Sequence, residues 1–139
     1  MVIKYDLQSM KYMTYFERLT KAKVKDCFED SNENLIFVVQ DGEIGKALGK
    51  NCKTVLKLKE KLPNKKVKIV EYSSNLIKFI KNLIFPYKVQ EINQEDDTIK
   101  LKSDDMKTKG LLIGKNGRNL RNYEGIVNRY FKIKEIKVE

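Results

Sequence analysis

The chain has 139 residues and carries 29 Lys and Arg against 19 Asp and Glu, a formal charge of +10 at pH 7. Its apolar share of 41% is enough for a core and too high for a disordered tail. The absence of histidine removes the commonest general base, the serine- and cysteine-protease triads and the imidazole-dependent metal sites. Cys27 and Cys52 stand too far apart for a Cys-x-x-Cys pair. The longest apolar run, Leu35 to Val39, is far short of the roughly 18 residues of a membrane helix. The opening Met1–Asp6 lacks the pattern of a signal peptide, so a soluble, cytoplasmic protein is expected.

Asp6 is positioned as an N-cap for a helix with Tyr12, Tyr15, Phe16, Leu19 and Ala22 at helical spacing. An extended stretch from Lys23 to Glu29, the turn Asp30-Ser31-Asn32-Glu33 and the buried strand Leu35–Val39 follow. Cys27, inside the extended stretch, reads as a small buried hydrophobe. Asp41-Gly42 breaks the second strand. A short helix from Glu43 to Leu48 runs into Gly49, and a longer one from Lys53 stops at Pro63-Asn64. Val67–Val70 closes the first half as a strand.

After the joint Tyr72-Ser73-Ser74-Asn75, a helix with Leu76, Ile77, Ile80, Leu83 and Ile84 on a broad apolar face ends at Phe85-Pro86. Strands are predicted at Lys88–Asn93 and Thr98–Lys102, around an acidic turn at Gln94–Asp97. A short helix then reaches Gly114, a long one covers Arg118–Phe131, and Glu135–Val138 reads as a last strand. The order α-β-β-α-α-β thus occurs twice, predicting an α+β protein of two related domains, residues 1–72 and 73–139. The repeat is visible in letters too. Leu48-Gly49-Lys50-Asn51-Cys52-Lys53 and Ile113-Gly114-Lys115-Asn116-Gly117-Arg118 occupy the same helix–helix corner.

Two glycines around polar residues at such a corner let another backbone come close, since neither has a Cβ. The next helix directs its first N–H groups and positive dipole end to the same point, and Lys115 and Arg118 add full charges. A tight turn alone would also use these glycines. Beyond the corner, Leu120, Tyr123, Val127, Tyr130 and Phe131 form a buried stripe. Arg118, Arg121, Asn122, Gly125, Arg129 and Lys132 fall on another face, as a phosphate track requires. Three of the four arginines lie in this segment. Gly125 either keeps that face low for a ligand or admits a neighbouring element. In the first half, Lys50, Lys53, Lys57 and Lys61 make a similar stripe, readable equally as a solvated face.

Ile113-Gly114-Lys115-Asn116-Gly117-Arg118-Asn119-Leu120 resembles the I-G-x-x-G-x-x-[IL] signature of KH domains. The element order resembles the prokaryotic, type II form: a three-stranded sheet with its helices packed on one face. Two such domains filling so short a chain resemble the archaeal NusA-like transcription factors, across essentially all 139 residues. The resemblance implies a non-catalytic protein acting in transcription termination, antitermination or elongation control. Its partner would be single-stranded RNA, the glycine loop clamping the backbone of about four nucleotides, with RNA polymerase as a further candidate partner. It implies no cofactor, metal, membrane or small-molecule substrate. The implied RNA-binding residues are Gly114, Lys115, Asn116, Gly117, Arg118 and Arg121, then Gly49, Lys50, Asn51 and Lys53. The base groove would draw on Leu111, Leu112, Ile113, Ile99 and Leu101, several of which must instead be core.

The first half departs from the signature. Cys52 stands where the second glycine belongs, so its side chain is expected either to block close approach or to change the loop's dihedrals. That half is expected to bind more weakly or to act as a spacer. Alternatives remain a scaffold docking on polymerase or ribosome with little RNA affinity, and a factor in ribosomal RNA assembly.

Overall fold

The computed structural model describes residues 6–139, which divide between Ser73 and Ser74 into two compact units. In the first, helix α1 (Leu7–Thr20) starts where Asp6 accepts a 2.7 Å hydrogen bond from the Ser9 N–H. It ends where Lys21 turns left-handed (φ 64°), so Ala22 packs into the core from beyond the helix rather than on it. Strands β1 (Val24–Glu29) and β2 (Asn34–Val39) pair antiparallel. Their connecting turn is held by Asp30, whose carboxylate accepts from the N–H groups of Asn32 and Asn34.

Strand β3 (Lys66–Glu71) runs parallel to β2, giving the sheet order β1-β2-β3. Parallel neighbours need a crossover. It consists of α2 (Ile44–Leu48), a 3-10 turn (Lys50–Cys52) and α3 (Lys53–Lys61). Phe16 of α1 stacks on Phe37 of β2 with ring centroids 4.4 Å apart, and Ala47, Leu58 and Cys27 complete the core around them.

The second unit repeats the order. Helix α4 (Leu76–Ile84) is capped by Asn75; β4 (Glu91–Glu95) and β5 (Thr98–Lys102) pair antiparallel, and β6 (Glu135–Val138) joins β5 in parallel. Between β5 and β6 lie α5 (Met106–Ile113), a 3-10 turn (Lys115–Gly117) and α6 (Arg118–Val127). Among the described residues no helix is long and apolar enough to cross a membrane.

Two boundaries differ from the sequence reading. Strand β4 begins at Glu91 and keeps Gln94 and Glu95 in register with Ile99 and Thr98, leaving only Asp96-Asp97 to turn. Helix α6 stops at Val127, not Phe131. Just past its end, the Asn128 side chain accepts from the Ile133 N–H at 3.0 Å. Tyr130 and Phe131 still reach the core there, packing on Phe79 at centroid distances of 5.4 and 5.7 Å.

Candidate nucleic-acid interface

The α5–α6 corner has a backbone that its sequence explains residue by residue. Gly114 takes φ 73°, ψ 176°, and a Cβ there would stand 2.7 Å from Asn119 Cγ. Both its conformation and the space around it therefore require glycine. Asn116 is left-handed (φ 57°), a region that asparagine visits more readily than other side chains. Gly117 is also left-handed (φ 75°), but no described atom lies within 4 Å of where its Cβ would be. Lys115 and Asn116 are exposed at the tip, and no side chain caps α6 at Gly117.

Asn119, an unspecified position in the sequence signature, holds this corner together. Its side-chain Nδ2 donates to the Leu111 carbonyl of α5 at 2.8 Å. The clue in the sequence was weak: a short amide at the start of a helix becomes a latch only once α5 folds back beside it.

Arg118 and Arg121 continue the exposed basic side from the loop along α6. Arg121 Nη1 lies 3.1 Å from Glu124 Oε1, while the guanidinium side chain stays 60% exposed. Glu124 is itself buried, and its Oε2 accepts from the Ile136 N–H at 2.7 Å. One carboxylate thus pins the last strand to α6 and orients Arg121. The rest of the expected track is different. Asn122 is buried, and Arg129 lies beyond the end of α6, which stops four residues early, with Lys132 further on. Gly125 is exposed, and among the described residues nothing outside its own helix backbone lies within 4 Å of where its Cβ would be.

The expected groove residues separate cleanly. Ile99, Leu101 and Leu112 are fully buried in the core, whereas Leu111 is 41% exposed and Ile113 half-buried beside the loop. Strand β5 and helix α5 each face the core with one set of side chains, which periodicity alone did not assign.

The first unit repeats the corner almost angle for angle. Gly49 takes φ 73°, ψ 174°, and a Cβ on it would strike Thr54 Oγ1, the counterpart of the Gly114–Asn119 contact. Asn51 is left-handed (φ 55°), like Asn116. Cys52 is left-handed as well (φ 59°, ψ 22°), so it does not change the loop's dihedrals. Its exposed side chain instead occupies the side that is open at Gly117. Lys50, Lys53, Lys57 and Lys61 are all exposed. The ten residues expected from the sequence therefore divide between the corners of the two units. One joins Gly114, Lys115, Asn116, Gly117, Arg118 and Arg121, and the other joins Gly49, Lys50, Asn51 and Lys53.

Comparison with known proteins agrees in extent. The chain is 32% identical over 144 residues to the probable transcription termination protein NusA of Thermoplasma acidophilum, covering 99% of this chain and 96% of that one. It is 33% identical to the protein of the same name from Methanococcus vannielii, over 99% of this chain and 80% of the relative. The crystal structure of APE1850 is similar with a TM-score of 0.74 and 29% identity, over 97% of this chain and all of that one. No family model matches the chain.

Proposed function

The chain belongs to the archaeal NusA family, and from that membership and the geometry of its second glycine loop we propose that it is a single-stranded RNA-binding factor of transcription. In this reading the two units are type II KH domains, residues 1–72 and 73–139, and Gly114, Lys115, Asn116 and Gly117 clamp the sugar-phosphate backbone. The observation that carries it is the open, left-handed Gly117 between exposed Lys115 and Asn116 on one side and the start of α6, which no side chain caps, on the other. A phosphate there would meet the positive end of the helix dipole and the charges of Lys115 and Arg118. Arg121 extends the contact along the strand, and bases lie toward Leu111 and Ile113.

The first loop, with Gly49, Lys50, Asn51 and Lys53, is a weaker RNA contact. Cys52 removes close approach but leaves the lysine charges. The activity is non-catalytic and serves termination, antitermination or elongation control in the cytoplasm, with RNA polymerase as the protein partner. For the first unit alone, the side chain of Cys52 on the open side favours a second reading, a protein-docking scaffold.

The test is polarisation of a labelled single-stranded RNA pool at two salt concentrations, for the chain and for Lys115→Asp/Asn116→Asp. Loss of most binding with an unchanged circular dichroism spectrum supports the clamp. Equal binding by both, vanishing at the higher salt, reduces the interaction to net charge and favours the scaffold.

A further inference from the structure

A cavity in the second unit, lined by none of the loop residues, has walls suited to a flat aromatic ligand. It measures about 370 Å³, inside the range of about 300–1,000 Å³ typical of small-ligand sites, and Phe85, Tyr87 and Val89 supply its apolar wall. Ile84, Lys81, Asn82 and Lys88 complete it, and no carboxylate lines it. Phe85 follows the last residue of α4 and is 67% exposed, while Phe79 on the same helix is fully buried. A single exposed apolar side chain is ordinary. This one stands at a cavity beside a second aromatic ring and exposed cations at 81 and 88.

We propose that this cavity receives an unstacked base of single-stranded RNA, with Phe85 as the stacking face and Lys81 and Lys88 meeting the adjoining phosphates. The occupant follows from charge and shape together. A nucleotide is flat and anionic, which answers both the ring and the two ammonium groups. An apolar peptide would leave the ammonium groups unanswered. An acidic peptide would satisfy them but would have to add an aromatic side chain at the right spacing, whereas every nucleotide joins a ring to a phosphate. The proposal rests on the RNA-binding reading of the glycine loop, yet uses none of its residues.

The full chain and its Phe85→Ala, Phe85→Leu, Phe85→Trp and Lys115→Asp/Asn116→Asp variants would be titrated into labelled oligouridine and oligoadenosine. Oligouridine carrying 4-thiouridine would then be photocrosslinked to the wild type and the peptide mapped. Because Phe85 is mostly exposed, its truncation removes little core packing, which circular dichroism checks. Expected are a loss of about tenfold in affinity for Phe85→Ala and Phe85→Leu, near-wild-type binding by Phe85→Trp, and a crosslink in the peptide carrying Phe85 and Tyr87. If both truncations bind like wild type while the loop variant does not, the cavity proposal is overturned and the loop reading stands. Full rescue by Phe85→Leu also overturns it, since apolar volume rather than a stacking face would then matter. If the loop variant binds normally and Phe85→Ala does not, it is the loop reading that fails.

Discussion

Cys52 and Gly117 hold the same backbone conformation, φ 59°, ψ 22° against φ 75°, ψ 13°, at equivalent corners of the two units. A side chain in this region is strained by about 1–2 kcal/mol, and glycine is not. The first unit therefore carries that strain to keep the shape of a loop whose open side it has filled.

Replacing Cys52 by glycine is expected to remove the strain. Part of the gain is offset because glycine loosens the unfolded chain, leaving a net stabilisation of about 0.5–1 kcal/mol. Urea denaturation of the full chain checks the stability. Under the clamp reading RNA affinity rises as well, whereas a docking role for the first unit predicts no change in RNA binding.

The two glycines of the second loop are expected to fail in different ways. Gly114→Ala places a Cβ 2.7 Å from Asn119 Cγ and in the left-handed region, so it should destabilise by about 2 kcal/mol or more. Gly117→Ala meets open space and carries only the backbone cost, about 1 kcal/mol. RNA affinity should nevertheless fall sharply in Gly117→Ala, because its methyl group occupies the approach side. A Gly117→Ala protein that binds RNA normally would make the corner a turn and nothing more.

Acid should weaken the fold through groups that can be named. The Ser9 N–H holds the Asp6 carboxyl below its ordinary value of 3.8. The Thr108 hydroxyl, with the Lys107 N–H, does the same for Asp105, and the Lys23 N–H lowers Glu43. A carboxyl depressed in the folded state contributes stability that is present above its unfolded pKa and is lost as pH falls through the folded one. Thermal melting should therefore drop as pH descends through and below about 4. Asp6→Asn and Asp105→Asn keep a capping acceptor but do not titrate. Their melting should depend less on pH than that of the wild type.

Much of the architecture was legible because local signals agreed. The unbroken run Leu35–Val39 is buried throughout as β2, Asp41-Gly42 ends it, and the glycines at 49 and 114 mark both corners. The end of α6 was not legible. Tyr130 and Phe131 continue its apolar spacing, yet they reach Phe79 from a turn that Asn128 stabilises. Asn119 and Glu124 escaped for a related reason: their partners, the Leu111 carbonyl and the Ile136 N–H, lie on other elements. Spacing along one helix cannot show what stands opposite it. Phe85 read as the end of an apolar face, and only its exposure in the fold distinguishes it from the core aromatics.

The Asn119 latch closes the segment from Leu111 to Asn119 into a ring, with the glycine corner inside it. A ring tied at both ends loses its conformational freedom when the chain folds, not when a ligand arrives. A strand docking on this corner would find its shape already set, so the ordering on association would fall on the nucleic acid rather than on the protein.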